Sequence, residues 1–307
     1  MKPLKFLSRH LSDLVVYALI PVFTLLLPAS FSRALAARVS AWQWLLSHEA
    51  AECYFRAAKY TAIDDEREWK QRWRLVVILE VRDLCLLTCG RRRAVFREIS
   101  GSEDIELTRD KVLVGMHWGP SISILSLLYS SGLQPLLVYR PVELAIIRHR
   151  PWYYFYLAWS VRYIRKTCAE RAITIKGAGE ALKKALQQSG TSVVVLDAPP
   201  VPGRSTIDGV VLGQRVKFNA GFPGILQESG REYLFYALSL QQGDSGLRTL
   251  ELTAPARLCS QEEFMRDYCD NLTAHIRADP AQWRIWQVAE QFFQPHPAQC
   301  SKRVVQG

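Results

Sequence analysis

One histidine stands where an apolar run gives way to a turn. His117 lies in Val112-Leu-Val-Gly-Met-His-Trp-Gly-Pro120, between the strand-like stretch Lys111 to Met116 and a second apolar stretch, Ile122 to Leu128. Imidazole titrates near neutral pH, so a histidine here can act as a base. Ligands of open α/β sheets gather outside the carboxyl ends of the strands, where this side chain would sit. The competing reading is a structural histidine satisfied by hydrogen bonds at a strand end. Two more polar residues follow apolar runs: Arg140 after Pro135-Leu-Leu-Val-Tyr139, and Asp197 after Val193-Val-Val-Leu196. Each is either a crevice residue or an ordinary loop or turn residue.

The elements that must position these groups alternate along the chain. Strand candidates are 111–116, 134–139, 172–176, 191–196, 210–218 and 233–240, with helices expected over 145–168 and 179–188. Such alternation implies an α/β fold, a mostly parallel twisted sheet flanked by helices. Upstream, Ser40 to Arg97 has helical spacing of its apolar residues, with Asp64 as a candidate cap. Residues Leu14 to Pro28 are almost wholly apolar and follow Lys2, Lys5, Arg9 and His10. This run is short of the roughly 20 residues a straight bilayer crossing needs, and Pro21 should kink it. A helix inserted in, or barely spanning, the inner leaflet is expected, against the alternatives of a buried core helix or a leader cleaved near Ala34-Leu-Ala36. The expected organisation is a membrane-anchoring segment over 1–38, an α/β domain over 39–300 and a tail over 301–307.

Charge narrows the partners. In 307 residues Lys and Arg outnumber Asp and Glu by 39 to 29, a formal charge of +10, which calls for an anionic partner. The arginines are spread along the chain with no zinc-finger, basic-zipper or RNA-recognition signature, so membrane or substrate phosphate is expected rather than nucleic acid. Arg91-Arg-Arg93 reads either as a solvated turn or as a phosphate contact. The aromatic run Pro151 to Trp159, flanked by Arg148, His149, Arg150, Arg162, Arg165 and Lys166, belongs either to the core or to a membrane interface. Seven scattered cysteines lack metal-ligand spacing and read as reduced, mostly buried thiols, with Cys85 and Cys89 sharing an apolar helix face.

Several separated segments together resemble one family, the late acyltransferases of lipid A biosynthesis (lauroyl and myristoyl transferases) within the lysophospholipid acyltransferase-like group. The resemblance runs from Leu27-Pro28 through His117-Trp-Gly and Val138-Tyr-Arg-Pro141 to Val195-Leu-Asp-Ala-Pro-Pro200. It continues through Gly213-Gln-Arg-Val-Lys-Phe-Asn-Ala-Gly221 and closes on Asp279-Pro-Ala-Gln-Trp-Arg-Ile-Trp286. It implies a glycerolipid acyltransferase-like fold with N-terminal membrane-associated helices. The implied activity is transfer of an acyl group from acyl carrier protein or acyl-CoA to a membrane lipid or glycolipid at the cytoplasmic face of the inner membrane. No metal or other cofactor is implied. His117 matches the family's base and Arg140 its site-facing arginine, while Trp118, Arg204 and Lys217 are further candidates for substrate contact.

The family's His-x-x-x-x-acid signature is broken, because Ile122 stands five residues after His117. Losing the orienting acid of a triad costs about four orders of magnitude in rate. Three outcomes stay open: Asp197 or Glu143 replaces the acid, an activated donor lets His117 act alone, or the chain is a non-catalytic lipid-binding protein of the same fold.

Overall fold

The computed structural model describes residues 3–175, 178–201, 203–243 and 245–293. Its first half is helical: α1 (Pro3–Leu14), α2 (Ile20–Leu26), α3 (Ala29–Ser40), α4 (Ser47–Ala57), α5 (Glu66–Thr88) and α6 (Arg92–Phe96). A π-turn, Val15–Leu19, joins α1 to α2. Ile20 N–H reaches back five residues to the Val15 carbonyl just before Pro21, which has no N–H to donate. The widened turn lets the helix absorb the proline.

The second half alternates: β1 (Ile99–Ser100), β2 (Val112–Gly115), α7 (Ser123–Ser130), β3 (Leu136–Tyr139), α8 (Pro151–Cys168), β4 (Ala172–Thr174), α9 (Ala178–Leu186) and β5 (Ser192–Val195). Then come β6 (Thr206–Val211), β7 (Gln214–Asn219), α10 (Gly221–Ser229), β8 (Glu232–Leu240), β9 (Arg248–Leu252), β10 (Ala256–Arg257), α11 (Gln261–Ala278) and α12 (Ala289–Phe292). The main sheet runs β1-β9-β8-β2-β5-β3-β4, with β10 paired to β8. All its pairings are parallel except β8 with β9 and β8 with β10. Val112, Leu113 and Val114 of β2 are fully buried, as expected for a central strand covered on both faces.

Two expectations are corrected. The segment 210–218 is not one strand but the β6–β7 hairpin, turning at Leu212 and Gly213 with φ of 55° and 75°. That turn needs positive φ twice, and a leucine hides the signal. Asp65 rather than Asp64 caps α5, accepting Glu68 N–H at 2.9 Å. Cys85 and Cys89 share a helix side as expected: burial first, and then the neighbouring Cys89 thiol, push the buried Cys85 up to about 12, while Cys89 itself ends the helix exposed. Cys300, Lys2, Lys176 and the tail lie outside the described residues.

One hydrophobic core spans both halves. Val16 and Ile20 of the N-terminal helices belong to it together with Leu234 of β8 and Trp283. The helical stretch Phe6–Leu26, of mean hydropathy 1.4, is long and apolar enough to cross a membrane, yet a third of it (33 %) is buried in the protein. Its other face leaves Val22, Phe23, Leu25 and Leu26 exposed. In α8, Tyr153 and Tyr156 turn inward against Tyr17, at 5.2 and 5.0 Å between ring centres, while Trp152 and Phe155 face out. Arg150, one of the basic residues flanking the aromatic run, is held by Asp13 at 2.6 and 2.8 Å and by Glu49 at 3.1 Å.

Candidate active site

Strand register sets the geometry. β2 and β5 are parallel neighbours with Gly115 opposite Val195, so residues two further along each strand, His117 and Asp197, emerge side by side at the carboxyl edge of the sheet. Asp197 Oδ1 lies 2.7 Å from His117 Nδ1, and the His117 backbone N–H donates to both carboxylate oxygens at 2.8 and 3.0 Å. The aspartate is fully buried, while 44 % of the His117 side chain is exposed. Nε2 has no hydrogen bond among the described residues, so it is the nitrogen left for a substrate. Burial disfavours the charged ring, but the charge and hydrogen bond of Asp197 more than offset it and hold the imidazole above its ordinary pKa.

The segment 282–284 closes over this pair like a short strand. Gly119 N–H donates to the Gln282 carbonyl at 3.0 Å and Arg284 N–H to the His117 carbonyl at 2.8 Å. Between them, Trp283 Nε1–H donates to Asp197 Oδ2 at 2.7 Å. Gln282 is itself fixed to β8, accepting Leu240 N–H at 2.6 Å. The Arg284 guanidinium pairs with Glu80 of α5, and both charges act on the His117 ring. Burial works against the charge of Arg284, but Glu80 outweighs it and keeps the guanidinium protonated. Beneath the carboxylate lie Tyr236 and Tyr268, whose hydroxyls are kept neutral by burial and by the charge of Asp197. Tyr268 donates to the Gly115 carbonyl at 3.2 Å.

The other sequence candidates separate. Glu143 is exposed before a short 3-10 turn and makes no bond to the His117 ring, so it is not the replacement acid. Ile122, at the place of the missing acid, is buried at the start of α7. Trp118 is corrected from a substrate contact to a core residue: it is buried, its indole N–H donates to Ser239 Oγ at 3.0 Å, and its ring meets His275 edge-on. Arg140 ends β3, two strands from His117, exposed and without an ion pair among the described residues. Arg204 is exposed before β6, and Lys217 is half-buried on β7 opposite Asp208. The structure shows no contact of these three with the His117–Asp197 pair. Trp283, Arg284 and Glu80 were missed as site residues, because only the resemblance, and no local pattern, marked Gln282-Trp-Arg. Among the described residues no cluster of His, Cys, Asp and Glu is arranged to hold a metal ion.

Neither a protein-family model nor a curated protein matches the chain. Solved structures do. One of them is the 1-acyl-sn-glycerophosphate (LPA) acyltransferase PlsC from Thermotoga maritima, with 15% identity and a TM-score of 0.35 over 80% of this chain and 96% of that one.

An aspartate on Nδ1 and an open Nε2 form an arrangement that can act as a general base. A carboxylate there favours the tautomer with the proton on Nδ1 and stabilises the imidazolium formed when Nε2 takes the ring's second proton.

Proposed function

We propose that this chain is an acyltransferase that moves an acyl group from a carrier thioester to a hydroxyl of a membrane lipid. The observation that carries this reading is the Asp197–His117 contact at 2.7 Å with Nε2 left open at a sheet edge. His117 Nε2 takes the proton of the acceptor hydroxyl as its oxygen bonds to the thioester carbonyl carbon. The tetrahedral intermediate collapses, the C–S bond breaks, and the leaving sulfur receives the proton from the imidazolium. Asp197 stays ionised throughout and stabilises the imidazolium in both steps.

In this proposal the donor is acyl carrier protein or acyl-CoA, acidic partners that suit a chain of charge +10. The acceptor is a lipid or glycolipid at the cytoplasmic face of the inner membrane; the exposed apolar face of α2 supports contact with a membrane. Arg140, Arg204 and Lys217 supply positive charge for substrate phosphate, and Arg284, beside the base, is better placed than any of them.

The test is acyl transfer from a labelled carrier by wild type and His117→Ala. Loss of about a thousandfold or more is expected for a missing base. Unchanged product formation by His117→Ala would remove His117 as the base, and absence of transfer by wild type would leave a lipid-binding protein.

A further inference from the structure

A second charged feature lies at the far end of α5, outside the His117 region. A surface concavity of about 840 Å³ is lined by Arg91, Arg92, Arg93 and Arg97 with Phe96 and Ser130, and no carboxylate borders it. Arg91 is anchored: its guanidinium donates to the carbonyls of Thr24 at 3.0 Å and Leu27 at 3.1 Å, closing the C-terminus of α2. Arg92 lies 5.5 Å over the ring of Tyr129, a half-exposed aromatic. Arg93 and Arg97, one helical turn apart, are exposed and have no acidic partner among the described residues. Like charges at this spacing repel, and an anion between them relieves the repulsion.

Because Arg91 ties the cluster to the end of α2, the concavity abuts that helix's uncovered apolar face. Leu26 is 74 % exposed and Phe31, on α3, is 66 % exposed. Guanidinium groups beside bare leucine and phenylalanine match the layering of a bilayer interface, with phosphate above and acyl chains below. A nucleic acid would satisfy the arginines and leave the apolar face in water.

We infer that Arg91, Arg92, Arg93 and Arg97 form a headgroup site for the phosphate of an anionic membrane lipid, with the α2 face seated in the acyl region beside it. The inference deepens the lipid-acyltransferase reading by naming a lipid contact that the chemistry at His117 does not use.

The full-length protein would be sedimented with phosphatidylcholine vesicles, with and without phosphatidylglycerol, and acyl transfer would be assayed separately in detergent micelles. Wild type should bind the anionic vesicles in preference. Arg93→Glu combined with Arg97→Glu should weaken that binding by about tenfold or more, since each basic residue near the surface contributes on that scale. Transfer in micelles should stay at the wild-type level. The site is overturned if wild type ignores phosphatidylglycerol, or if the double variant binds like wild type. It is also overturned if a short DNA duplex is held as tightly as the vesicles and released by the same substitutions. Failure of acyl transfer in wild type with vesicle binding intact would sink the catalytic reading and leave this site standing.

Discussion

Trp283 holds one oxygen of Asp197 at 2.7 Å while the other meets the His117 ring at the same distance, so a fully buried carboxylate is divided between an indole and an imidazole. The indole ring is itself wedged edge-on against Trp286 at 4.6 Å and Phe292 at 5.9 Å. Its N–H therefore cannot follow the carboxylate if that group swings. In the proposed transfer this makes Trp283 a positioning residue for His117.

Trp283→Phe deletes the donor and leaves a small cavity where the larger indole packed, so some loss of stability accompanies it. Hydrogen bonds to charged groups contribute about 1.5–3 kcal/mol, and if the lost alignment shows in the transition state the rate falls roughly tenfold to a hundredfold. The fall should appear in kcat with KM little changed. A wholly structural role would lower Tm and leave kcat per folded molecule intact.

Asp197→Asn tests the acid. The amide can donate to Nδ1 and select the wrong tautomer, so kcat is expected to fall by about three to four orders of magnitude. The pH profile adds a sign. In wild type the base must be neutral, so the rate rises with pH through the raised pKa of His117, at a midpoint above the ordinary 6.5. Without the carboxylate, burial and Arg284 remain to disfavour the charged ring, so the residual activity should have its midpoint below the wild-type value. Folding runs the other way: the pair's contribution is fully present below the unfolded pKa and is lost as pH rises through the raised folded value.

Much of the sheet was legible because its central strands are buried on both faces and read as unbroken apolar runs. His117 and Asp197 were both visible at the ends of such runs. Their contact was not, since it depends on β2 and β5 being parallel neighbours with Gly115 opposite Val195. Before that pairing, Glu143 was an equal candidate. Trp118 was misplaced because residues next to one another in extended chain point to opposite sides, so a neighbour of an open histidine turns inward. Trp283 could not be found by spacing, as its indole arrives from 86 residues beyond Asp197. The partner of Arg150 was hidden for a similar reason, Asp13 being 137 residues away.

A buried charge quartet ties the helical half to the sheet. Arg82 meets Glu98 at 2.8 Å through two nitrogens and Asp83 at 2.9 Å, and Arg248 of β9 meets Glu98 at 2.6 Å as well as Asp83. Two guanidiniums are balanced by two carboxylates, with Arg33 near Glu98 at 3.3 Å. Glu98→Gln leaves the buried arginines one charge short, and removing one partner of such a group costs about 3–5 kcal/mol. Urea unfolding should show that loss. A change below about 1 kcal/mol would mean water reaches the cluster and screens it.

Gly119 separates strain from close approach in the turn that carries the base. It has φ of 53°, and an added Cβ would stand 2.2 Å from the Leu238 carbonyl oxygen and 3.2 Å from Gln282 Oε1. Gly132 also has positive φ, 74°, but a Cβ there would meet nothing within 4 Å. Gly132→Ala should therefore cost only the backbone strain, about 1–2 kcal/mol. Gly119→Ala carries the same strain and must also push backbone apart, so at least about 2 kcal/mol more is expected. Because the displaced strand is the one that places Gln282, Trp283 and Arg284 against His117, the Gly119 variant should lose activity even at temperatures where it remains folded. Equal stability losses for the two alanine variants in urea unfolding would show that the turn yields, and that the 282–284 segment is not held by it.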